Sequence, residues 1–308
     1  MTTSTRHPSH FSLDPATRAD AEHLIELALL EDLSDVGDLT SLSMLPADRS
    51  VSVQIRARQP GVLVGSEIIT MVLQQFAGHT GDQSSDWMTD VKHSDGCSLA
   101  TGTVVAELQG PVRLLLTAER TILNLLIHLC GIASLTAQYV QRVSHTRAVI
   151  LDTRKTLPGY RRLQKYAVLC GGGTNHRMGL HDGMLIKDNH LAARENRSVS
   201  DAVRTARKFL REQSLEIPVE VEVDTLDQLS DALRETPDIV LLDNMGPDQL
   251  RRAVELRNSV SPDTLLEASG GITLETVRAI AEAGVDRISI GGLTHSAPAL
   301  DLGFDWPW

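Results

Sequence analysis

Positive charge is concentrated between Asp152 and His190 in a chain that is otherwise acidic. The formal net charge of the protein is −11 with neutral histidines. The segment carries seven Lys or Arg residues against three Asp, a local charge of +4, so the remainder of the chain carries −15. The seven cations are Arg154, Lys155, Arg161, Arg162, Lys165, Arg177 and Lys187. A cationic patch in an acidic protein predicts a small anionic ligand and argues against nucleic acid as a partner.

Carboxylates form a second group of candidate functional residues. In the run VEVEVD, strand periodicity puts Glu220, Glu222 and Asp224 on one face. A solvated face is one interpretation, but strands of a parallel sheet are usually buried on both sides, where an unpaired carboxylate is costly. Glu222 in particular is therefore predicted to meet a cation, either a metal ion or the Lys and Arg residues at neighbouring strand ends. Asp243 ends the next apolar run, DIVLLDN, and is a candidate for the same site.

Two glycine-rich turns follow the last two predicted strands. The first is SGGIT, which contains Ser269, Gly270 and Gly271, and the second is IGGLTHS, which contains Gly291 and Gly292. Glycines allow close approach of a ligand to the backbone, and a helix that opens at the first turn would offer free N–H groups to an anion. Glycine pairs also serve as ordinary turns, but two on consecutive strands match the phosphate site of many barrels.

A third glycine-rich stretch, GGGTNHRMG at 171–179, surrounds His176 and Arg177. An isolated His-Arg pair is usually a surface feature. Because this pair lies inside the cationic segment, the stretch is interpreted as a loop that presents both side chains to the ligand.

From about residue 148 onward, strands and helices alternate regularly. Strands are predicted at 148–152, 183–188, 219–224, 238–244, 264–269 and 287–292. Helices are predicted between them at 162–170, 198–213, 226–235, 247–260 and 273–284. This alternation predicts a parallel α/β sheet, with the candidate residues gathered at the carboxyl ends of its strands.

The number of predicted strands does not by itself decide between a barrel and an open sheet. Six repeats are visible, whereas a complete barrel needs eight, so either the barrel is incomplete or strands near 120–150 escape detection. An open doubly wound sheet is the alternative, but it predicts a glycine-rich turn after the first strand. That turn reads DTRKTLPG, which fits poorly, and a barrel is therefore preferred.

The front third of the chain predicts a small α+β domain. A helix is indicated at 20–33, a half-buried strand at 50–58 and a long apolar helix from about Thr117 to Val143. The polar residues 1–20 predict a flexible tail and lack the apolar core of a signal peptide, which indicates a cytoplasmic protein. No uninterrupted apolar run reaches the roughly 18–20 residues of a membrane helix. Cys97, Cys130 and Cys170 are predicted to be free thiols.

Several motifs together resemble one family, quinolinate phosphoribosyltransferase, also called carboxylating nicotinate-nucleotide pyrophosphorylase. The motifs are TRKTLPG (153–159), QKYAV (164–168), GGGTNHRMGL (171–180), IKDNHL (186–191), LLDNM (241–245) and ASGGI (268–272). GDLTS (37–41) and AERTILNLL (118–126) fit the family's front half, and LTHSAPALDLGFD (293–305) fits its tail. The resemblance therefore covers nearly the whole chain, in order.

The resemblance implies an α/β fold in which an N-terminal α/β sandwich domain precedes an incomplete, open α/β barrel. The implied domains are residues 21–123 for the sandwich, with 297–308 packing back on it, and 124–296 for the barrel. It also implies a homodimer or higher homo-oligomer in which one subunit lends an arginine to its neighbour's site. By motif that arginine is Arg120 in AERT, which from sequence alone is an ordinary helix-surface residue.

The family's site residues can be carried over motif by motif. The carboxylates of quinolinate would meet Arg154, Lys155, His176, Arg177, Lys187 and a neighbour's Arg120. Glu222 and Asp243 would hold Mg²⁺, the implied cofactor, and the ribose of phosphoribosyl pyrophosphate. The phosphate would lie on Ser269, Gly270, Gly271, Gly291 and Gly292, near His295. Lys155, Lys187, Glu222 and Asp243 are the implied catalytic residues.

The implied reaction is phosphoribosyl transfer to quinolinate with decarboxylation, which yields nicotinate mononucleotide, CO₂ and pyrophosphate for NAD biosynthesis. Three alternatives remain at this point. A barrel aldolase could use Lys187 as a Schiff base. A transferase of the same fold could use nicotinate or be the molybdenum-transport-associated relative. A non-catalytic protein could have retained the fold.

Overall fold

The computed structural model describes residues 11–79, 87–194 and 198–308. The helices are α1 (Pro15–Leu33), α2 (Leu39–Met44), α3 (Ser66–His79), α4 (Val112–Val143), α5 (Arg161–Cys170), α6 (Asp188–Ala192), α7 (Val199–Glu212), α8 (Leu226–Leu233), α9 (Pro247–Val260), α10 (Val277–Glu282) and α11 (Gly292–His295). The strands are β1 (Ser50–Ala57), β2 (Gly61–Val62), β3 (Met88–Val91), β4 (Ser98–Leu99), β5 (Val104–Pro111), β6 (Val149–Leu151), β7 (Met184–Ile186), β8 (Val219–Val223), β9 (Ile239–Asp243), β10 (Leu265–Ser269), β11 (Arg287–Ser289) and β12 (Leu302–Asp305).

The chain forms two compact units, and each combines segments that are distant in sequence. Unit 1 comprises the described residues of Met1–Ala137, Thr156–Gly172 and Leu293–Trp308. Unit 2 comprises those of Gln138–Lys155 and Gly173–Gly292.

Unit 1 contains a four-stranded antiparallel sheet in the order β12-β1-β5-β3. Strand β1 alternates between buried and more exposed residues, as the sequence SVSVQIRA predicts for a half-buried strand. The last strand, β12, pairs with β1 in the register Gln54 to Asp305, so the C-terminal segment completes this sheet. The helices α1 and α3 contact each other, and their apolar residues Ile25 and Phe76 are fully buried.

Helix α1 begins earlier than the sequence pattern suggested. Asp14 caps it, because its carboxylate accepts a hydrogen bond of 2.8 Å from the Thr17 amide, and Pro15 follows at the first helical position. Residues 15–20 are therefore helical, although they were predicted to belong to the flexible tail. The first ten residues of that predicted tail lie outside the described residues.

Helix α4 begins at Val112, five residues before the predicted start, and runs without a break to Val143. Within the described part of the chain it is the one helix long and apolar enough to span a membrane. In its most apolar window 61% of the residues are buried inside the protein, and a core helix passes the same test. Its hydrophobicity is therefore weak evidence for a membrane segment.

Residues 156–172 lie in unit 1, although the sequence placed 124–296 in one continuous barrel domain. Helix α5 contacts α1, and its residues Leu163, Ala167 and Val168 are fully buried. A Cβ atom on Gly171 would lie 2.4 Å from the Ala133 carbonyl oxygen, so α4 and the end of α5 are in close contact. Packing within unit 1 therefore takes this helix out of the strand-helix repeat to which its position in sequence assigns it.

Unit 2 is built on a six-stranded sheet in the order β6-β11-β10-β9-β8-β7, and all neighbouring strands are parallel. The first strand in sequence lies beside the last, while β6 and β7 form the two ends of the sheet. This order is that of a barrel that has not closed. The prediction of an incomplete, open α/β barrel is confirmed.

The strands of unit 2 form where short β-branched and aliphatic runs can be buried on both faces. Val219, Val221 and Val223 in β8 and Val240 and Leu242 in β9 are at most 1% exposed.

Capping residues identify the starts of two helices in unit 2. Thr225 and Gln228 form a capping box at α8, and Ser198 caps α7 through the Asp201 amide. Because the six strands are parallel, their carboxyl ends and the loops that follow lie at one edge of the sheet.

Candidate functional site

The loop at 171–179 is anchored to the carboxyl end of β6. Asp152, which follows β6, is fully buried. Its carboxylate accepts hydrogen bonds from the Asn175 side-chain amide at 2.6 Å and from the His176 backbone amide at 2.9 Å. Asp182 holds the far end of the loop, accepting from the Met178 and Gly179 amides. Two buried or half-buried carboxylates thus fix the peptide that carries His176 and Arg177.

Arg154 and Arg177 lie near each other in unit 2. Burial lowers the pKa of Arg177, and the positive charge of Arg154 lowers it further. Within the described residues, Arg154 Nε is buried and has no hydrogen-bond partner. The Arg177 Nη1 atom donates to the Gly183 carbonyl at 2.8 Å, which fixes the side chain. Two adjacent guanidinium groups, one with an unsatisfied donor, form a site suited to an anion with paired oxygens.

His176 occupies a nearly buried position between main chain and carboxylates. Its Nε2 atom lies 3.1 Å from Glu220 Oε2 and 3.4 Å from Glu267 Oε1. On the opposite side of the ring, Nδ1 accepts a hydrogen bond of 2.7 Å from the Arg177 amide. Protein groups therefore contact both ring nitrogens, and a direct contact between His176 and a substrate carboxylate stays a prediction.

The protonation of His176 reflects opposing influences. Burial lowers its pKa and the carboxylates of Glu220 and Glu267 raise it, and these influences alone would place the pKa at about 9. The Arg177 amide acts in the opposite sense, because an N–H directed at Nδ1 needs a lone pair there. We assign the ring in this conformation as the neutral Nε2–H tautomer, since a second proton would displace the Arg177 amide.

The ligand atoms of His176, Glu220 and Glu267 lie within 4.8 Å of one another, a spacing compatible with a metal ion. The protein already supplies donors to these carboxylates, because Arg287 Nε donates to Glu267 Oε2 at 2.7 Å and His176 Nε2 faces both carboxylates. Burial raises the pKa of Glu267, but hydrogen bonds from His176 and Arg287 and the positive charge of Arg287 outweigh it and lower that pKa. We therefore interpret the cluster as an internal ion network.

A second carboxylate group lies at the ends of β8 and β9. Glu222 forms an ion pair with Lys187, the residue that follows β7. The pKa of Asp243 is raised, first by burial and then by the negative charges of Glu222 and Asp224, while Lys187 and Lys155 act in the opposite direction. Negative charge in this group thus exceeds the positive charge that the protein places beside it, as expected for carboxylates that bind a divalent cation.

The ion pair also bears on the aldolase alternative. A Schiff base requires an amine that is free to attack a carbonyl carbon, whereas the Lys187 amine is paired with the Glu222 carboxylate. The ion pair of Lys187 therefore supports an electrostatic role for this residue and argues against a covalent one.

Backbone strain marks the turn after β10. Gly270 and Gly271 have φ of 94° and 58°, and Asn244, which is not a glycine, has φ of 55°. A Cβ atom on Gly270 would lie 2.2 Å from Asn244 Oδ1, and the Asn244 side chain donates to Asp243 Oδ2 at 2.7 Å. Glycine at 270 thus permits a contact between the candidate phosphate turn and the carboxylate group.

The first turn of the candidate phosphate site differs from expectation in one respect. The helix that was predicted to open at Thr273 begins at Val277, so its N-terminal amides do not directly follow Ser269–Gly271. At the second turn, the strand predicted to run to residue 292 ends at Ser289, and Gly292 is the first residue of α11. The first turn could therefore contact a phosphate through the exposed backbone of Gly270 and Gly271 rather than through the N-terminus of a helix.

The predicted site residues are distributed between the two units. Unit 2 holds most of them: Arg154, Lys155, His176, Arg177, Lys187, Glu222, Asp243, Ser269, Gly270, Gly271, Gly291 and Gly292. Arg120 and His295 belong to unit 1, where Arg120 is exposed on α4 and His295 Nδ1 lies 2.6 Å from Ser296 Oγ. Their predicted roles remain proposals.

Sequence reasoning missed the partners of His176. Asn175, Glu267 and Arg287 were given no predicted role, and Glu220 was predicted only to share a strand face with Glu222. One signal was available: Glu267 and Arg287 are charged residues inside otherwise apolar predicted strands, where an unpaired charge is costly. Opposite charges on adjacent parallel strands would have indicated a buried pair, and the two residues are in fact register partners.

An open α/β barrel with guanidinium groups, carboxylates and glycine turns at one strand edge defines an enzyme-like site for small phosphorylated anions. Comparison with known proteins makes this more specific. The family model for the C-terminal domain of quinolinate phosphoribosyl transferase matches residues 132–305, and the N-terminal model matches 38–130. The chain therefore belongs to the quinolinate phosphoribosyl transferase family.

Individual relatives agree over nearly the full length. A carboxylating nicotinate-nucleotide pyrophosphorylase from Mycobacterium leprae is 45% identical and aligns with 92% of this chain and 96% of its own. A probable enzyme of the same name from Bacillus subtilis is 40% identical, with 92% of each chain covered. The solved nicotinate-nucleotide pyrophosphorylase from Francisella tularensis has a TM-score of 0.84 at 35% identity, covering 96% of this chain and 99% of that one.

Proposed function

We propose that the protein transfers the phosphoribosyl group of phosphoribosyl pyrophosphate to quinolinate and removes one carboxylate as CO₂. The products are nicotinate mononucleotide and pyrophosphate, on the route to NAD. The observation that carries the proposal is a pair of arginines, Arg154 and Arg177, in which the charge of Arg154 lowers the pKa of Arg177 and Arg154 Nε is buried and unsatisfied within the described residues. The names of the Mycobacterium leprae and Bacillus subtilis relatives support the same reaction.

The guanidinium pair is suited to a substrate with two carboxylates. Quinolinate carries one carboxylate more than nicotinate, and each can accept two parallel hydrogen bonds from an arginine. Arg154 and Arg177 bind these groups, Lys155 and Lys187 add positive charge, and an Arg120 from a neighbouring subunit completes the set. This last contribution requires a homodimer or a higher homo-oligomer, which we propose together with a cytoplasmic location.

Glu222 and Asp243 are the residues that would hold Mg²⁺. Carboxylate oxygens are its preferred protein ligands. Burial, followed by the negative charges of Glu222 and Asp224, raises the pKa of Asp243, and a divalent cation would offset that negative charge. When bound, Mg²⁺ supplies charge neutralisation for the leaving pyrophosphate. The same two carboxylates face the ribose, and the glycines at 270 and 271 leave the backbone open to the 5-phosphate.

The protein contributes position and charge rather than a nucleophile. The ribose C1–oxygen bond to pyrophosphate breaks, and the carboxylates of Glu222 and Asp243 stabilise the oxocarbenium-like carbon. The pyridine nitrogen then forms a bond to C1, which leaves the ring cationic. The bond from the ring to the adjacent carboxylate breaks, CO₂ departs, and a proton replaces it on the ring carbon. Lys155 or Lys187 fixes the departing carboxylate.

The test is an assay with purified protein, quinolinate, phosphoribosyl pyrophosphate and Mg²⁺, with nicotinate mononucleotide and CO₂ measured separately. Both products are expected, and omission of any one component should remove both. A parallel reaction with nicotinate in place of quinolinate tests the related transferase activity. Product from nicotinate, with none from quinolinate, would overturn the proposal.

A further inference from the structure

The buried residues Glu220 and Glu267 take no direct part in the reaction proposed above. Glu220 is 4% exposed and Glu267 is fully buried, on strands β8 and β10 of unit 2. Carboxylates at such depth are costly to desolvate, and removing a partner from one is costlier still. Their presence in the sheet interior therefore calls for an explanation.

The two carboxylates converge on one imidazole. Arg287 holds Glu267 from the adjacent strand through a 2.7 Å hydrogen bond to Oε2. The other oxygen of Glu267 lies 3.4 Å from His176 Nε2, and Glu220 Oε2 lies 3.1 Å from the same atom. Side chains from three strands thus fix one edge of the His176 ring.

The other edge of the ring holds the next residue in the chain. His176 Nδ1 accepts the Arg177 amide at 2.7 Å, and the Arg177 side chain is fixed in turn by the Gly183 carbonyl. A rotation of the imidazole would therefore release the peptide from which the Arg177 guanidinium projects. The contacts form a continuous path from Arg287 through Glu267 and His176 to Arg177.

We propose that Glu267 and Glu220 are positioning residues for the acidic substrate: they fix the His176 imidazole, which fixes the main chain and hence the guanidinium of Arg177. The inference rests on the proposed function, because it assigns Arg177 to a quinolinate carboxylate. A purely stabilising network would be expected to satisfy every buried oxygen. Within the described residues, Glu220 Oε1 is buried without a hydrogen-bond partner, and Glu267 Oε1 makes only its long, 3.4 Å contact with His176 Nε2. The two carboxylates are therefore arranged around the histidine although their own hydrogen bonding is incomplete.

The test compares Glu267→Gln and Glu220→Gln with Glu275→Gln, an exposed glutamate of the same unit. Each buried substitution should raise KM for quinolinate about tenfold, the loss expected when one charge-assisted hydrogen bond is weakened. KM for phosphoribosyl pyrophosphate should stay within about twofold, and Glu275→Gln should change neither. Lower thermal stability with unchanged KM for quinolinate in both buried variants would show a purely structural role and overturn the inference.

Ring-nitrogen NMR of protein labelled with ¹⁵N-histidine tests the contact without activity. In the wild type, His176 should show a hydrogen-bearing Nε2 and an acceptor Nδ1, and Glu267→Gln should shift both resonances. Unchanged His176 resonances would contradict the inference even if quinolinate is a substrate. If the wild type does not convert quinolinate, the proposed function fails, whereas an active wild type with unaffected variants removes the positioning role alone. Should Glu267→Gln not fold, Glu220→Gln carries the same measurements.

Discussion

Single side chains in unit 2 carry charges that their protein neighbours leave partly uncompensated. The positive charges of Arg154 and Arg177 repel each other. Burial, together with the negative charges of Glu222 and Asp224, raises the pKa of Asp243. Like charges held together cost stability in the unliganded protein and favour binding of the opposite charge. Substitutions at these positions should therefore affect catalysis and stability in different directions.

Arg154→Ala should lower kcat/KM for quinolinate by about 100-fold or more, because up to two hydrogen bonds of about 1.5–3 kcal/mol each to a charged group are lost. Thermal stability should change little, since Arg154 Nε makes no hydrogen bond to the described residues. Arg278→Ala, which removes a side chain that is 64% exposed on α10, is the control. Steady-state kinetics and thermal melts test these two expectations. Near-normal turnover in Arg154→Ala would contradict the assignment of Arg154 to a quinolinate carboxylate.

Asp243→Asn should abolish the response of activity to Mg²⁺ while maintaining or raising Tm at neutral pH in the absence of metal. The pKa of this carboxyl is raised in the folded protein, so its ionised form destabilises the fold as pH rises above the ordinary value of 3.8. Any gain in Tm should disappear below that pH, where the wild-type group is protonated in both states. Asp248→Asn, at a side chain that is 91% exposed, is the control. A lower Tm at neutral pH would argue against uncompensated charge.

Turns position these side chains by adopting backbone conformations that few residues tolerate. The glycine turn after β10 and Asn244 after β9 are both left-handed and lie in contact. The turn geometry therefore connects the candidate phosphate site to the carboxylate of Asp243, for which we propose metal binding.

Gly270→Ala should destabilise the protein by about 1–2 kcal/mol, the usual cost of a left-handed conformation for a residue with a Cβ. It should also raise KM for phosphoribosyl pyrophosphate, because the new methyl group would displace Asn244. Gly102→Ala is a matched control: its φ is 84°, but nothing lies within 4 Å of the added atom. Equal effects of both variants on that KM would show that strain alone, without contact to Asn244, explains the result.

The elements of the barrel were largely predictable because each strand is a short run such as VEVEV or IVLLD that periodicity and flanking turns identify. The predicted α9 matches the structure at both ends. Two features depended on tertiary packing instead. Helix α5 follows a strand like the other helices, yet its apolar face packs within unit 1. The network around His176 combines side chains from β8, β10 and β11. Local periodicity shows which face of a strand a residue occupies, but it does not show which distant residue that side chain contacts.

At the scale of the whole molecule, chain segments far apart in sequence share sheets. Strand β12 closes one side of the unit 1 sheet, and its residues Leu302 and Phe304 are buried. Without β12, the backbone groups of β1 would become an open edge available to other chains. The last few residues therefore influence both stability and solubility.

Truncation after Asp301 should remove about 3–6 kcal/mol of stability, from the burial of two large apolar side chains at about 1.5–3 kcal/mol each. It should also promote self-association through the exposed edge of β1. Truncation after Trp306 leaves β12 intact and is the control. Thermal melts and light scattering test both effects, and an unchanged Tm after the longer truncation would show that β12 contributes little.

The open barrel has a consequence for how the protein folds as it is synthesised. Strand β6 is the first of its sheet to leave the ribosome, but its neighbour β11 is the last, with Ile150 paired to Ile288. Five strands must therefore be made before β6 can pair with another strand of its sheet, and contacts of such long sequence separation form slowly. Until then β6, with its apolar residues Ile150 and Leu151, can pair only with the short bridge at Thr174 and lacks its neighbouring strand. We expect the nascent chain to depend on chaperones most strongly in the interval between the emergence of these two strands.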